Sequence, residues 1–281
     1  MKELALALSI FACEPEWGSL ARELAPEARI YVATTALQDP HRIEARPSLI
    51  ARARSADLVV CTGAELEVGW LPLVLAQSGN AAIQPGQPGY FEAARQVELI
   101  EKPARLDRSL GDVHADGNPH VHLDPRHMAK VAVALSRRMG EMDAKGRTLY
   151  ASRLEVFLKR WDDAVRRWEA RAAPLRGMPV VVQHRNFSYL IAWLGMREVA
   201  ALEPKPGLPP GAAHLAEVLE RHRRDPAKAV MRAAYDDPRP AEWLAARAGI
   251  RAVVLPYTVG GTPAAKDLFS LYDDTLSRLL P

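Results

Sequence analysis

The chain has 281 residues, which is enough for one large domain or two domains of ordinary size. Its net charge of +3 is small for this length and its arginines are dispersed, so nothing in the composition indicates nucleic-acid binding. No apolar run is long enough to span a bilayer.

The N-terminal part of the chain predicts strands that alternate with helices. The predicted strands are 4–12, 29–34 and 57–62, and the predicted helices are 14–24, 47–55 and 67–77. This alternation is typical of a parallel sheet with helices on both faces. Ligands bind such sheets beyond the carboxyl ends of the strands, and the loop that carries His41 follows the second strand.

The apolar run at 4–12 also resembles the core of a short signal peptide, with Ala12-Cys13 as a lipoprotein site. Only one lysine precedes the run and an acid follows that lysine, so we interpret it as the first strand. If the native protein is exported, we expect that its signal has been removed from this chain.

Two cysteines, Cys13 and Cys61, lie at the carboxyl ends of predicted strands, and neither belongs to a Cys-x-x-Cys motif. If these strands are neighbours in one parallel sheet, a disulfide is sterically possible and would suit an oxidising compartment. Two buried thiols are an equally good interpretation, so the sequence leaves the pairing open.

The middle of the chain contains a short segment with two histidines. Residues 80–111 are rich in Pro and Gly, with one predicted strand at 97–100, and residues 105–117 are polar and predicted to be mobile. Asn118-Pro119-His120-Val121-His122-Leu123-Asp124-Pro125 follows, and 125–138 is predicted to be a helix. If Val121 is extended, His120 and His122 project to the same side. Imidazoles are common zinc ligands, but an isolated pair is a weak signal.

Residues 143–173 predict one helix of about 25 residues, which would connect two lobes. The remaining chain repeats the α/β pattern, and His184 stands directly after its first strand. The predicted strands are 179–183, 199–202, 229–232 and 252–255, and the predicted helices are 187–193, 212–223, 240–248 and 266–280. We therefore predict an N-terminal lobe at 1–142, a connecting helix at 143–174 and a C-terminal lobe at 175–281.

Three histidines occupy equivalent places in this scheme, because His41, His120 and His184 each lie in a loop next to a predicted strand or helix. Loops at the carboxyl ends of both sheets could meet in one cleft. Three imidazole nitrogens and one oxygen form a tetrahedral zinc site, and the same ligand types also suit manganese.

These segments also resemble a known family. Asp39-Pro40-His41 followed by Pro47-Ser48, the segment Asn118–Pro125, and His184 followed by Phe187 and Tyr189 are similar to the motifs of the zinc- and manganese-binding receptor proteins of bacterial ABC importers. The resemblance covers nearly the whole chain.

The resemblance implies two α/β lobes joined by a rigid helix, with Zn(II) or Mn(II) in the cleft between the lobes. The ligands it implies are His41, His120 and His184. It also implies export to the periplasm, or anchoring outside the membrane, and delivery of the metal to an ABC importer permease. We expect a monomer, with a periplasmic metallochaperone as a possible further partner. His114, in the polar loop, is a further candidate for recruiting metal.

The fourth ligand departs from the family pattern. Family members commonly carry a carboxylate just after the last strand, where this chain has Thr258. The nearest acid is Asp267, which we predict as a tentative ligand, although a negative charge at a helix N-terminus is the simpler explanation for it. Asp39, Glu65 and Glu67 are further candidates, and a water molecule is the remaining option.

An open three-histidine zinc site would also suit a zinc-dependent hydrolase or hydratase, because the metal lowers the pKa of bound water. No His-Glu-x-x-His, Gly-x-Ser-x-Gly or phosphate-binding glycine loop is present in the sequence. A two-lobed receptor for an organic ligand is the third class, and the histidines argue against it. The sequence therefore predicts a metal receptor that is not an enzyme, with the zinc hydrolase or hydratase as the alternative.

Overall fold

The computed structural model describes residues 8–103, 111 and 114–280. By Cα proximity the chain divides into two compact units. Unit 1 contains the described residues up to Glu98 together with Pro125–Val165, and unit 2 contains those in Leu99–Asp124 and from Arg166 onward. This division differs from the predicted boundaries, because the segment 99–124 groups with the C-terminal part of the chain. Hydrogen bonds to the Tyr189 hydroxyl, described below, hold that segment there.

Unit 1 contains a four-stranded parallel sheet with the order β2-β1-β3-β4. Its strands are β1 (Ser9–Ala12), β2 (Arg29–Val32), β3 (Leu58–Cys61) and β4 (Tyr90–Glu92), and its helices are α1 (Pro15–Leu24), α2 (Pro47–Arg54), α3 (Leu71–Ser78) and α4 (Pro125–Met142). All four residues of β3 are buried, as expected for a central strand covered on both faces.

The strand predicted at 97–100 is wrong. The fourth strand of the sheet is β4, whose Tyr90 pairs with Val59 of β3. The aromatic residues of β4 favour extended structure, and Phe91 is buried in the core. Ile100 instead accepts a hydrogen bond from the Asn118 amide at 2.9 Å, which ties it to the histidine segment.

Unit 2 repeats the architecture, with a four-stranded parallel sheet of order β6-β5-β7-β8. Its strands are β5 (Pro179–Val182), β6 (Arg197–Ala201), β7 (Ala229–Ala233) and β8 (Arg251–Leu255), and its helices are α6 (Ser188–Leu194), α7 (Ala212–Arg224), α8 (Pro238–Ala248) and α9 (Leu268–Leu279). Both sheets thus confirm the α/β class and the parallel strands that the sequence predicts.

The long connecting helix is also confirmed. Helix α5 (Arg147–Arg171) has 25 residues, begins in unit 1 and ends in unit 2. Its apolar residues Phe157, Trp161 and Trp168 are buried. Within the described part of the chain, no helix combines the length and apolarity that a bilayer crossing requires.

Candidate metal centre

His184 leaves the carboxyl end of β5 in extended conformation, with φ −120° and ψ 153°. Its Nδ1 lies 2.7 Å from Oε2 of Glu203, which follows the neighbouring strand β6. The same carboxylate accepts a hydrogen bond from the Gly207 amide at 2.8 Å. Because β5 and β6 are parallel neighbours, their carboxyl ends bring the imidazole and its carboxylate partner together.

His120 is held by the backbone and side chain of Asn118. The Asn118 side-chain oxygen accepts a hydrogen bond from the His120 amide at 3.0 Å. The Asn118 side-chain nitrogen donates to the carbonyl of Arg185, next to His184, at 2.9 Å. The Tyr189 hydroxyl donates to the Asn118 carbonyl at 2.8 Å. These bonds fix both histidine loops to one another.

Gly117 allows this arrangement. Its φ of +117° is rarely adopted by residues with side chains, and a Cβ atom there would lie 2.7 Å from the Ile100 carbonyl. The close approach lets the Asn118 amide reach the Ile100 carbonyl.

Tyr257, which follows β8, supports both histidines of the motif. Its hydroxyl lies 2.8 Å from Nδ1 of His120, and its carbonyl lies 3.0 Å from Nε2 of His122. Its φ is +64°, an uncommon conformation for a bulky residue. We infer that the hydrogen bonds on both sides hold this conformation.

Val121 is not extended, because Val121–Leu123 forms a 3-10 turn, so the condition for His120 and His122 to project to the same side of a strand is not met. His120 and His122 nevertheless meet the same residue, Tyr257. His122 is fully buried and its carbonyl accepts a hydrogen bond from the Tyr272 hydroxyl. His122 is therefore a packed support beneath His120.

The rings of His120 and His184 meet edge to face, with centroids 5.9 Å apart. His114 meets His120 in the same way at 6.4 Å. All three histidines line a cavity of about 220 Å³ within unit 2, whose other lining residues are Glu101, Gly117, Asn118, Pro119, Arg185 and Pro206. Two of the three predicted ligands thus share one cavity, and His114 joins them.

His41 belongs to unit 1, where it lies in the loop after β2. Its Nδ1 lies 2.7 Å from Oδ1 of Asp39, which also accepts the His41 amide at 3.0 Å. The carbonyl of the preceding Pro40 accepts a hydrogen bond from the Trp70 indole at 3.0 Å. Hydrogen bonds therefore fix both residues that directly precede the histidine.

Asp267 is the N-cap of α9. Its carboxylate accepts hydrogen bonds from the Ser270 amide and hydroxyl, which completes a capping box. A negative charge at a helix N-terminus is also the simpler explanation that the sequence suggests for Asp267. Thr258, at the position of the family carboxylate, is buried and its amide bonds to the Pro256 carbonyl.

Other acids and histidines have separate roles. Asp39 orients His41, and Glu67 is buried in a carboxyl cluster of unit 1. His214 bonds through Nε2 to the Ala201 carbonyl, and His222 accepts the Ala227 amide.

Sequence reasoning missed Glu203 and Tyr257, which orient the histidines. Glu203 does have a sequence signal, since it comes two residues after a strand end, as ligand-side residues of parallel sheets often do. Tyr257 has none, because its role depends on a backbone conformation that the residue type disfavours.

Two comparisons describe the relatives of this chain. The ZnuA protein of the high-affinity zinc uptake system of Bacillus subtilis is 22% identical over 246 residues, which cover 86% of this chain and 75% of that protein. The zinc-binding lipoprotein AdcA of Streptococcus pneumoniae is 20% identical over 249 residues, and the match covers 86% of this chain but only 48% of AdcA.

Solved structures share the fold. A crystal structure of ZnuA superposes with a TM-score of 0.78 at 19% identity, covering 96% of this chain and 97% of the other. A cadmium-bound periplasmic metal-binding protein from Candidatus Liberibacter asiaticus gives a TM-score of 0.77 at 13% identity, covering 96% and 97% of the two chains.

The two α/β units, the long helix and the histidine motifs are together those of a solute receptor of metal ABC importers. The chain belongs to the ZnuA family, described as the periplasmic component A of the zinc-uptake complex, whose family model matches residues 10–280.

Proposed function

We propose that this protein captures Zn(II) outside the cytoplasm and delivers it to the permease of an ABC importer, with Mn(II) as the alternative cargo. His41, His120 and His184 are the ligands, and the ion is bound in a cleft between the lobes. The zinc-uptake relatives and the family membership support this cargo. The family is one of transport receptors, so the zinc hydrolase or hydratase is the less supported reading.

The observation that carries the proposal is shared by all three histidines. In each ring, Nδ1 lies within 2.7–2.8 Å of an oxygen, from Asp39, Tyr257 and Glu203 respectively. Metal-bound histidines commonly donate their second ring N–H to a carboxylate, carbonyl or water, which fixes the tautomer and the ring orientation. This arrangement makes Nε2 of each ring the coordinating nitrogen. The three histidines come from separate parts of the sequence, and each imidazole is oriented by an oxygen at Nδ1.

The fourth coordination position is taken by water in this proposal. Asp267, the tentative ligand, is already the acceptor for its own helix N-terminus. His114 lines the same cavity as His120 and His184, and in this proposal it binds the incoming ion first and transfers it to them. Asp267→Asn is expected to leave zinc affinity unchanged, because asparagine also caps helices well. A loss of affinity in this variant would restore Asp267 as a ligand.

The test is zinc affinity, measured by competition with a chromophoric chelator. His41→Ala, His120→Ala and His184→Ala should each weaken binding by more than the roughly 10–100-fold that removal of an outer partner costs. His214→Gln is the matched control, since this histidine bonds to a backbone carbonyl of unit 2 and is expected to leave affinity unchanged. Stoichiometric tight zinc in His184→Ala and His41→Ala would contradict the proposal.

Acid should release the ion, because protons compete with the metal for imidazole nitrogens. We also expect the protein to elute as a monomer in size-exclusion chromatography at all zinc concentrations. It should associate with the permease in membranes only when zinc is present. A periplasmic metallochaperone that supplies zinc would be detected as faster loading without a change in final affinity.

A further inference from the structure

Unit 1 contains a second cluster of metal-ligating side chains that the histidine centre does not use. Cys13 follows β1 and Cys61 ends the neighbouring strand β3, and the two form a disulfide with a Cα–Cα distance of 4.8 Å. Both cysteines are fully buried. Each of them, together with Glu67, offers one ligand atom, and these three atoms lie within 4.8 Å of one another.

Glu67 is fixed by the loop that follows β3. Its Oε1 accepts the Thr62 amide at 2.7 Å, and its Oε2 accepts the Gly63 amide at 3.0 Å. Gly63, Ala64 and Glu65 all have positive φ. A strained loop of this kind persists when its surroundings hold it, and it is often found at binding sites.

A second buried acid, Glu14, lies beside Glu67. Its Oε2 accepts a hydrogen bond from the Thr62 hydroxyl at 3.2 Å, whereas its Oε1 is buried and has no hydrogen-bond partner in the described chain. Among the residues that the structure describes, no Lys or Arg forms an ion pair with Glu14 or Glu67. Burial raises the pKa of Glu67 to about 7 and raises the pKa of Glu14 well above its ordinary value. The cluster is thus a buried pair of carboxyl groups, and no Lys or Arg of the described residues forms an ion pair with either group.

We propose that reduction of the Cys13–Cys61 disulfide converts this cluster into a second zinc site, with the two thiolates and the Glu67 carboxylate as ligands. Glu14 or a water molecule completes the tetrahedron. After reduction the two sulfurs must move apart to the separation that bonds of about 2.3 Å to one tetrahedral ion require, which is within the 4.8 Å that the three ligand atoms span. A cavity of about 310 Å³ reaches Glu67 from the side of Val68 and Leu71 and provides the route of entry.

The disulfide is converted into the zinc site in two steps, reduction and then metal binding. An external dithiol supplies two electrons and two protons, which break the S–S bond, leave two cysteine thiols and form the oxidised dithiol. Zn(II) then displaces the two thiol protons, together with the Glu67 carboxyl proton where that group is protonated, and binds two thiolates and one carboxylate. In an oxidising compartment the disulfide persists and the site remains closed.

The test compares oxidised and reduced protein in a His120→Ala/His184→Ala background, in which the histidine centre is disabled. Each state is titrated with Co(II), whose bonds to thiolate give a charge-transfer absorption in the near ultraviolet. The reduced protein should bind one equivalent of cobalt with this band, and the oxidised protein should show neither. Zinc should displace the cobalt and abolish the band.

Two variants on the same background sharpen the result. Cys61→Ser should abolish the band, and Glu67→Gln should weaken cobalt binding to the reduced protein roughly tenfold or more, while the oxidised protein still binds no cobalt. Absence of the thiolate band in the reduced protein would overturn the proposal, as would unfolding on reduction that zinc does not reverse. The near-ultraviolet circular dichroism of the buried Trp17 reports the fold in every sample.

Discussion

The two sheets have the same strand order, yet the equivalent strands β1 and β5 are followed by different side chains. The central strand β1 is followed by Cys13 and Glu14, and its counterpart β5 is followed by Gln183 and His184. Glu14 therefore occupies the position in unit 1 that His184 occupies in unit 2.

The side chains that follow β1 and β5 determine the surroundings of each strand end. In unit 1 a disulfide joins the ends of β1 and β3, and a buried carboxyl pair lies beside it. In unit 2 the equivalent end opens into a cavity lined by imidazoles. One topology can thus supply either a cross-linked core or a binding surface, and the residues just past the strands decide which.

The largest effect is expected from removing the cross-link. The disulfide closes a loop with a sequence separation of 48, and Cys13→Ala/Cys61→Ala should lower the free energy of unfolding by about 4 kcal/mol. Urea denaturation checks this value. Zinc affinity at the histidine centre should stay the same in this variant. A stability loss below about 1 kcal/mol would mean that the cross-link contributes little to unit 1.

The next effect concerns the buried carboxyl group. Burial raises the pKa of Glu67 from 4.5 to about 7 in the fold, so the folded state holds more protons than the unfolded state between these values. The stabilisation is complete below pH 4.5 and is lost as pH rises towards 7. In oxidised, metal-free protein the free energy of unfolding should therefore fall with pH in this window, by up to about 1.4 kcal/mol per pH unit.

Glu67→Gln should reduce this slope, because glutamine stays neutral at every pH, and the contribution of Glu14, whose pKa burial also raises, should remain. Glu217→Gln, at an exposed position of α7, is the control and should keep the slope. Urea midpoints from pH 4 to pH 8, on the order of five values per variant, suffice for the comparison. An unchanged slope in Glu67→Gln would show that another group causes it.

The two orienting groups of unit 2 provide a third comparison. Glu203 is a carboxylate partner for His184, whereas Tyr257 is a neutral hydroxyl partner for His120. Glu203→Gln should weaken zinc binding by roughly 10–100-fold, and Tyr257→Phe by a smaller factor, because a charge-assisted hydrogen bond is about twice as strong as a neutral one. Chelator competition measures both. An equal loss in the two variants would remove the distinction between the partners.

The fold follows from the sequence because the strongest signals are local. Buried runs such as Val180–Val182 and the uninterrupted helical spacing of α5 predict strands and the connector close to where they occur. The exception is β4, a three-residue strand at the edge of its sheet. Its assignment depends on pairing with β3, which the sequence does not reveal.

The candidate site follows from the sequence only in part. The motifs identify His120 and His184, which share a cavity. Their supports are less accessible, because Glu203 and Tyr257 reach the histidines across strand ends that are distant in sequence. The sequence also leaves the Cys13–Cys61 disulfide open, since that bond depends on β1 and β3 being neighbours in the sheet. Asp267 shows the reverse case, in which an acid beside a helix start is explained by the local capping pattern.

The smallest effect is expected from removing the side-chain hydrogen bonds that connect each sheet end to the helix that follows it. In unit 1 the Trp17 indole of α1 donates to the Thr62 hydroxyl at 2.8 Å, and in unit 2 the Tyr189 hydroxyl of α6 joins Asn118 to Ile100. Tyr189→Phe and Trp17→Phe should each lower stability by about 1–2 kcal/mol, because each removes hydrogen bonding at partly or fully buried polar groups.

Only Tyr189→Phe should also weaken zinc binding, by a few-fold, because Asn118 holds the amide of His120. The tie in unit 1 leads to Thr62 and the carboxyl cluster, so Trp17→Phe should change stability alone. Paired urea and chelator measurements separate the two outcomes. Weakened zinc binding in both variants would indicate a general loss of structure, and the two sheet ends would then no longer be distinct in function.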